Sequence, residues 1–222
     1  MFLHGYLSSK ESFAFQTEYL SSFFKTVAVD LPGFGKTPEP DEPLSLDGYV
    51  EFVKSVIERE CGKSTLVLAH SFGGRIALKL AVRYPETVEQ MLLTGCAGMR
   101  PRRTLGYRAR RLGFKAVKLV SPSLARRWIR AFASPDYLAL SPLMRESFKM
   151  IVNEHLDGIL PYVSVPTLLV FGSEDKETPL YMAGRLNRGI HGSGLVVMEG
   201  CGHFCFCDDP VRFNAIAREF LL

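Results

Sequence analysis

Residues 65–78 run Thr-Leu-Val-Leu-Ala-His-Ser-Phe-Gly-Gly-Arg-Ile-Ala-Leu, an apolar stretch that passes straight into a helical pattern across Ala69-His70-Ser71-Phe72-Gly73. A serine on so tight a strand-to-helix turn needs small residues two before and two after it, and Ala69 and Gly73 meet that need. The turn lifts the Ser71 hydroxyl out of the sheet at a helix N-terminus, where the Phe72 N–H and the helix dipole favour a developing negative oxygen. The chemistry this placement suits is nucleophilic attack. A hydroxyl manages that when a neutral imidazole takes its proton and a carboxylate holds the imidazole in one tautomer. The competing role for Ser71 is ordinary helix capping, which would spend the hydroxyl on a backbone N–H.

Four other segments carry chemistry-bearing residues in turns: Leu3-His4-Gly5-Tyr6, Asp30-Leu31-Pro32-Gly33-Phe34-Gly35, Val170-Phe171-Gly172-Ser173-Glu174-Asp175 with Thr178-Pro179, and Gly202-His203-Phe204 with Asp208-Asp209-Pro210. Together with the serine turn they resemble, in order, the motifs of the α/β-hydrolase superfamily, from His4-Gly5 to the C-terminal helix. The departure is Ala69, where that family's G-x-S-x-G has its first glycine. The resemblance implies that Ser71 is the nucleophile, His203 the general base and Asp175, over its neighbour Glu174, the acid that orients it. It also implies that the Tyr6 N–H joins that of Phe72 in an oxyanion hole. The implied activity is cleavage of a carboxylic ester or thioester of a small-molecule acyl substrate through an acyl-enzyme, with no cofactor and no metal. The chain begins inside the strand before the His4-Gly5 turn, so a sheet shortened at its N-terminus is expected.

Two other functions compete. Ser-Phe-Gly-Gly-Arg, the His-Gly turn and the arginine-rich segment with Trp128 also resemble the menaquinone-pathway synthase that eliminates pyruvate from a polyanionic precursor, although His70 stands where that family usually has tyrosine. A non-catalytic ligand receptor on a hydrolase fold is the third. His70, Arg75 and Trp128 are the candidate substrate contacts. For His70 a buried structural role weighs about as much, and for Arg75, four residues after Ser71 on the same helix face, an ion pair with a neighbouring loop does. His4 is expected to hydrogen-bond within its turn, and His155 and His191 to lie on the surface. Cys201, His203, Cys205 and Cys207 form C-x-H-x-C-x-C, set aside as a zinc site because no second distant ligand pair accompanies it.

The elements that must position these groups follow from the apolar rhythm. Strands are expected at about 1–3, 26–30, 65–69, 88–94, 167–171 and 195–199, and helices at about 10–22, 46–61, 73–84, 179–190 and 210–221. The fold class is therefore α/β, a mostly parallel doubly wound sheet of about six strands in one domain spanning 1–222. Asp209 before Pro210 marks an N-cap, and Gly62 a C-terminal stop. The interval at about 97–165 has helical pattern, three Ser-Pro pairs and no convincing strand, so it is expected to be a helical lid insertion.

At 222 residues, with 47% hydrophobic and 23% charged, the chain has globular composition and room for one sizeable core. The net charge of +4 conceals a block from Met99 to Arg130 with eleven Arg or Lys and no acid, which leaves −7 for the rest. Leu105, Ala109, Leu112, Ala116 and Leu119 recur there at helical spacing beside Arg108, Arg111, Lys115 and Lys118, as in an amphipathic lid helix. Such a face suits an anionic substrate or an anionic membrane surface, and a solvated face whose side-chain stems cover apolar surface is the alternative. No nucleic-acid-binding module accompanies the charge. Five cysteines without a secretion signal suggest free thiols and a cytoplasmic protein, either monomer or homodimer.

Overall fold

The computed structural model describes residues 1–102, 106, 112–114, 117, 121, 124 and 135–222. Six parallel strands form one sheet in the order β2-β1-β3-β4-β5-β6. They are β1 (Phe2–Leu3), β2 (Ala28–Val29), β3 (Thr65–His70), β4 (Val88–Thr94), β5 (Thr167–Gly172) and β6 (Gly194–Met198). The helices are α1 (Ala14–Leu20), α2 (Leu46–Glu60), α3 (Phe72–Arg83), α4 (Pro135–Ala139), α5 (Pro142–Asn153), α6 (Leu180–Gly189), α7 (Cys205–Asp208) and α8 (Pro210–Leu221).

Why these segments pair as a parallel sheet is visible in their side chains. Val67, Ala69, Met91, Leu93, Leu169 and Phe171 enter one buried cluster with residues of α2, α3, α5 and α6. Leu68, Leu92 and Val170, one step out of phase, enter a second cluster with α1, α7 and α8. A strand whose two faces are both apolar is stable only when helices cover both, which is the doubly wound arrangement.

Helix ends obey local chemistry. The Ser45 hydroxyl accepts from the Gly48 N–H to start α2, and Asp209 accepts from the Arg212 N–H to start α8. Gly62, just past α2, sits at φ 87°, where an L side chain is strained. One of the Ser-Pro pairs turns out to open a helix: Pro142 begins α5 with the Ser141 hydroxyl accepting from the Met144 N–H, while Pro135 is the first described residue of α4. The described part of the expected insertion thus holds helices and no strand, with irregular chain at 97–102 and 154–159. Trp128 and most of the expected lid helix, including Leu105, Ala109, Ala116 and Leu119, lie outside the described residues. Among the described residues no helix is long and apolar enough to cross a membrane.

The strand order places the site. From β1 the chain moves outward to β2, then returns to β3 on the other side of β1 and proceeds the opposite way to β4. The crevice between the carboxyl ends of β1 and β3 is the point of reversal, where open α/β sheets bind ligands. Tyr6 follows β1 and Ser71 follows β3, so both border it.

Glycine lets the later loops close on this end. A methyl group on Gly172, the last residue of β5, would stand 2.2 Å from the carbonyl oxygens of Cys201 and Gly202. We therefore expect Gly172→Ala to cost about 3 kcal/mol or more in unfolding free energy, by overpacking against backbone that cannot yield. Gly158→Ala, where nothing lies within 4 Å, should change stability by less than about 0.5 kcal/mol. Urea titrations of both variants check this, and equal losses would contradict it.

Candidate active site

Ser71 occupies φ 50°, ψ −104°, a left-handed conformation that costs a non-glycine residue about 1–3 kcal/mol. The neighbouring backbone holds it there. Its N–H donates to Thr94 O at the end of β4 (3.0 Å), and its carbonyl accepts from the Ala97 N–H (3.2 Å). On the other side, the Gly73 N–H donates to His4 O (3.1 Å). A methyl on Gly73 would meet Leu3 O at 2.2 Å, which is why only glycine lets α3 approach β1 so closely. The Ser71 hydroxyl makes no capping bond to α3, so helix capping is not its role. Phe72 is the first residue of α3, and N–H groups of a first turn have no intrahelical acceptor.

Asp175 and His203 meet across the ends of β5 and β6. His203 Nδ1 lies 2.8 Å from Asp175 Oδ2. Because a carboxylate oxygen can only accept, Nδ1 carries the proton and Nε2 is left as the basic nitrogen. Asp175 is only 5% exposed, yet both oxygens are satisfied. Oδ1 accepts the N–H groups of Glu177 (2.9 Å) and Thr178 (2.8 Å), and Oδ2 accepts the Thr178 hydroxyl (2.6 Å) as well as the imidazole. Burial alone would raise this carboxyl's pKa. Hydrogen bonds from His203 and Thr178, with the charge on His203, overcome burial and hold it at about 2.

The loop bearing His203 is built from both sides. The Glu174 N–H donates to Cys201 O (2.9 Å), the Gly202 N–H to Asp208 Oδ2 (2.7 Å), and the Thr94 hydroxyl lies 3.2 Å from Cys205 Sγ. The short α7, which the sequence pattern did not suggest, begins two residues after His203. Gly95 faces the imidazole, a methyl there standing 3.1 Å from its Cε1. The Ser71 turn bonds Thr94 and the His203 ring abuts Gly95, so the two residues converge on the end of β4.

Tyr6 sits at the end of β1 with its ring edge-on to Phe34 (4.8 Å) and Phe72 (5.3 Å) and tilted on Phe148 (5.0 Å). Its hydroxyl donates to Met144 O of α5 at 3.1 Å. His4 is a structural residue of this turn: Nδ1–H donates to Gly5 O (2.7 Å) and Nε2 accepts the Leu31 N–H (3.0 Å). Burial lowers its pKa.

The other histidines and Arg75 divide between expectation and correction. His70 is 1% exposed and contacts His203, Phe204 and Phe206, so it is buried in the protein and no wall of an open pocket. Arg75 is 8% exposed and forms no ion pair with a loop among the described residues. Its Nη1 donates instead to the carbonyls of Ile151 and Glu154 at 2.8 Å, tying α3 to the C-terminus of α5, where the helix dipole favours a cation. A cavity of about 340 Å³ opens beside it, lined among others by Gly98, Met99, His155, Thr178 and Met182. His155, expected on the surface, is half-buried in that wall, and His191 is exposed. A second cavity, about 220 Å³ among Leu20, Phe24, Ser64 and Leu221, lies at the opposite end of the sheet, away from this chemistry. All five cysteines are free thiols.

Sequence reasoning overlooked the part of Thr178, whose hydroxyl also lies 3.3 Å from His203 Nδ1. The signal was present: Asp175-Lys176-Glu177-Thr178 is the spacing at which a carboxylate accepts N–H groups two and three residues on.

This geometry agrees with kinship. The chain belongs to the alpha/beta hydrolase family, whose model matches residues 1–216. It is a hydrolase of that family. A pimeloyl-(acyl-carrier protein) methyl ester esterase of Neisseria meningitidis is 30% identical, over 99% of this chain and 91% of that protein. The AB hydrolase superfamily protein YisY of Bacillus subtilis is 29% identical, over 99% and 90%. Among solved structures, a meta-cleavage product hydrolase from Pseudomonas fluorescens, complexed with acetates, superposes with a TM-score of 0.75 at 27% identity, covering 99% of this chain and 89% of that one.

The depressed pKa of Asp175 has a consequence for stability. Against an ordinary value of 3.8, a folded value of about 2 means the carboxylate contributes about 2 kcal/mol, fully present above pH 3.8 and lost as pH falls through about 2. Asp175→Asn should therefore be less stable than wild type near neutral pH, with the gap closing between pH 4 and 2, as read by urea unfolding at each pH. A gap independent of pH over that interval would show that the carboxylate is not held this way.

Proposed function

We propose that this hydrolase cleaves a carboxylic ester or thioester of a small acyl compound through an acyl-enzyme on Ser71. The observation that carries the reading is a strained serine, its hydroxyl uncommitted to capping, at the same strand end as an imidazole whose tautomer is fixed by a buried carboxylate. Ser71 Oγ attacks the acyl carbonyl and its proton passes to His203 Nε2. Asp175 stabilises the imidazolium through Nδ1–H, and the oxyanion takes the N–H groups of Tyr6 and Phe72. His203 then protonates the leaving alcohol or thiol. Water, with His203 again as base, releases the acid and restores the serine.

The esterase name of the Neisseria relative supports the ester class. Arg75 lines the 340 Å³ cavity, and a buried cation bordering that space supports an acyl group that bears an anion.

The test is labelling by a fluorophosphonate together with turnover of an acyl-ester and thioester panel. Wild type should label at Ser71 and hydrolyse members of the panel. Ser71→Ala should not label and should lose about a million-fold in kcat. An unlabelled wild type would favour a non-catalytic receptor, and pyruvate release without ester cleavage would favour a lyase. Either outcome contradicts the proposal.

A further inference from the structure

His70 has no step in the reaction above, yet it touches all three segments that converge on it. Its backbone directly precedes Ser71, at the end of β3. Its Nε2 lies 3.1 Å from the carbonyl oxygen of His203. Because that oxygen can only accept, Nε2 carries the proton, and the neutral ring leaves Nδ1 as a bare acceptor. Burial first, and the charge of His203 second, lower the His70 pKa to about 3, so the ring stays neutral while His203 gains and loses its proton. Nδ1 has no hydrogen-bond partner among the described residues. It packs instead against the backbone of Gly5, where a methyl group would stand 2.8 Å from Nδ1 and 3.6 Å from Ser71 Cβ. The ring lies against His203, Phe204 and Phe206 with centroids 4.6, 4.8 and 4.9 Å away.

His203 is thus gripped at two ends. Asp175 fixes the ring through Nδ1, and His70 fixes the main chain through its carbonyl. A ring held at one atom can still swing about it. A second anchor on the backbone removes that freedom, and catalytic groups need placement to within about 0.5 Å. We propose that His70 is a positioning residue: through its Nε2–H it sets the distance of the His203 loop from Ser71, while its Nδ1 edge sets that of the Gly5-Tyr6 turn. The proposal rests on the acyl-enzyme reading above, and it adds a residue that acts on the base through the backbone.

The experiment is the second-order rate of Ser71 phosphonylation by a fluorophosphonate in three proteins, alongside their melting temperatures. His70→Phe keeps the ring stack and withdraws the donor. His70→Gln returns an N–H at the position of Nε2. Phosphonylation should slow about 10- to 100-fold in His70→Phe, as expected of sub-ångström misplacement, and recover to within about threefold of wild type in His70→Gln. Equal rates in His70→Phe and wild type, or a His70→Gln as slow as His70→Phe, would overturn the proposal. If His70→Phe does not fold, His70→Asn, whose amide cannot reach the Nε2 position, replaces it under the same two criteria. A wild type that does not label at Ser71 would instead sink the acyl-enzyme reading itself.

Discussion

The backbone of Ser71 sits where a side chain does not belong, and most of the architecture around it exists to keep it there. Relaxation of that one residue into helix or strand would swing its hydroxyl into the sheet and detach it from β4. Three bonds oppose this, from Ser71 to Thr94, from Ala97 to Ser71 and from Gly73 to His4. Two of them tie Ser71 to the end of β4 and the third ties the start of α3 to the end of β1, so the strain is opposed from both strands that flank β3. A small residue at 69 and glycine at 73 are then steric requirements of the same turn.

From that constraint the remaining layout follows. The reversal of strand order between β1 and β3 opens a crevice at the carboxyl ends, and the serine turn borders it next to the turn that carries Tyr6. Asp175 and His203 arrive from the next strands along, and the His203 ring reaches Gly95, beside the Thr94 carbonyl that anchors Ser71. Both oxygens of Asp175 are paired, which is what allows a carboxylate at 5% exposure to remain ionised. Helix α5 is tied to both sides of this end: the Met144 carbonyl accepts the Tyr6 hydroxyl, and the last turn and C-cap of the helix accept Arg75 of α3. Residues of α5 therefore bear directly on the turn that carries Tyr6 and on the helix that follows Ser71.

Much of this was legible in the sequence because the signals are local. Six strands and their flanking helices could be read from apolar period, since both faces of each central strand are buried. The serine turn was readable because its strain forces small neighbours. What stayed hidden depends on contacts between distant segments. Nothing in the chain around Arg75 says that carbonyls of Ile151 and Glu154 will meet its guanidinium in place of an acid. Nothing around His70 says which way its ring turns. The Ser-Pro pairs were readable as breaks in the strand rhythm, while Ser141-Pro142 proves to be a helix start, serine as N-cap and proline in the first turn. α7 escaped notice because a four-residue helix has no period to detect.

The central claim is geometric, that one hydroxyl, one imidazole and two amide donors share a reacting centre. A crystal structure of the phosphonate adduct measures this directly. Phosphorus should be bonded to Ser71 Oγ, with one phosphonyl oxygen about 3 Å from the N–H groups of both Tyr6 and Phe72 and His203 Nε2 within hydrogen-bond reach of Oγ. An adduct whose phosphonyl oxygen points away from those amides, or whose His203 Nε2 faces elsewhere while Nδ1 still holds Asp175, would contradict it.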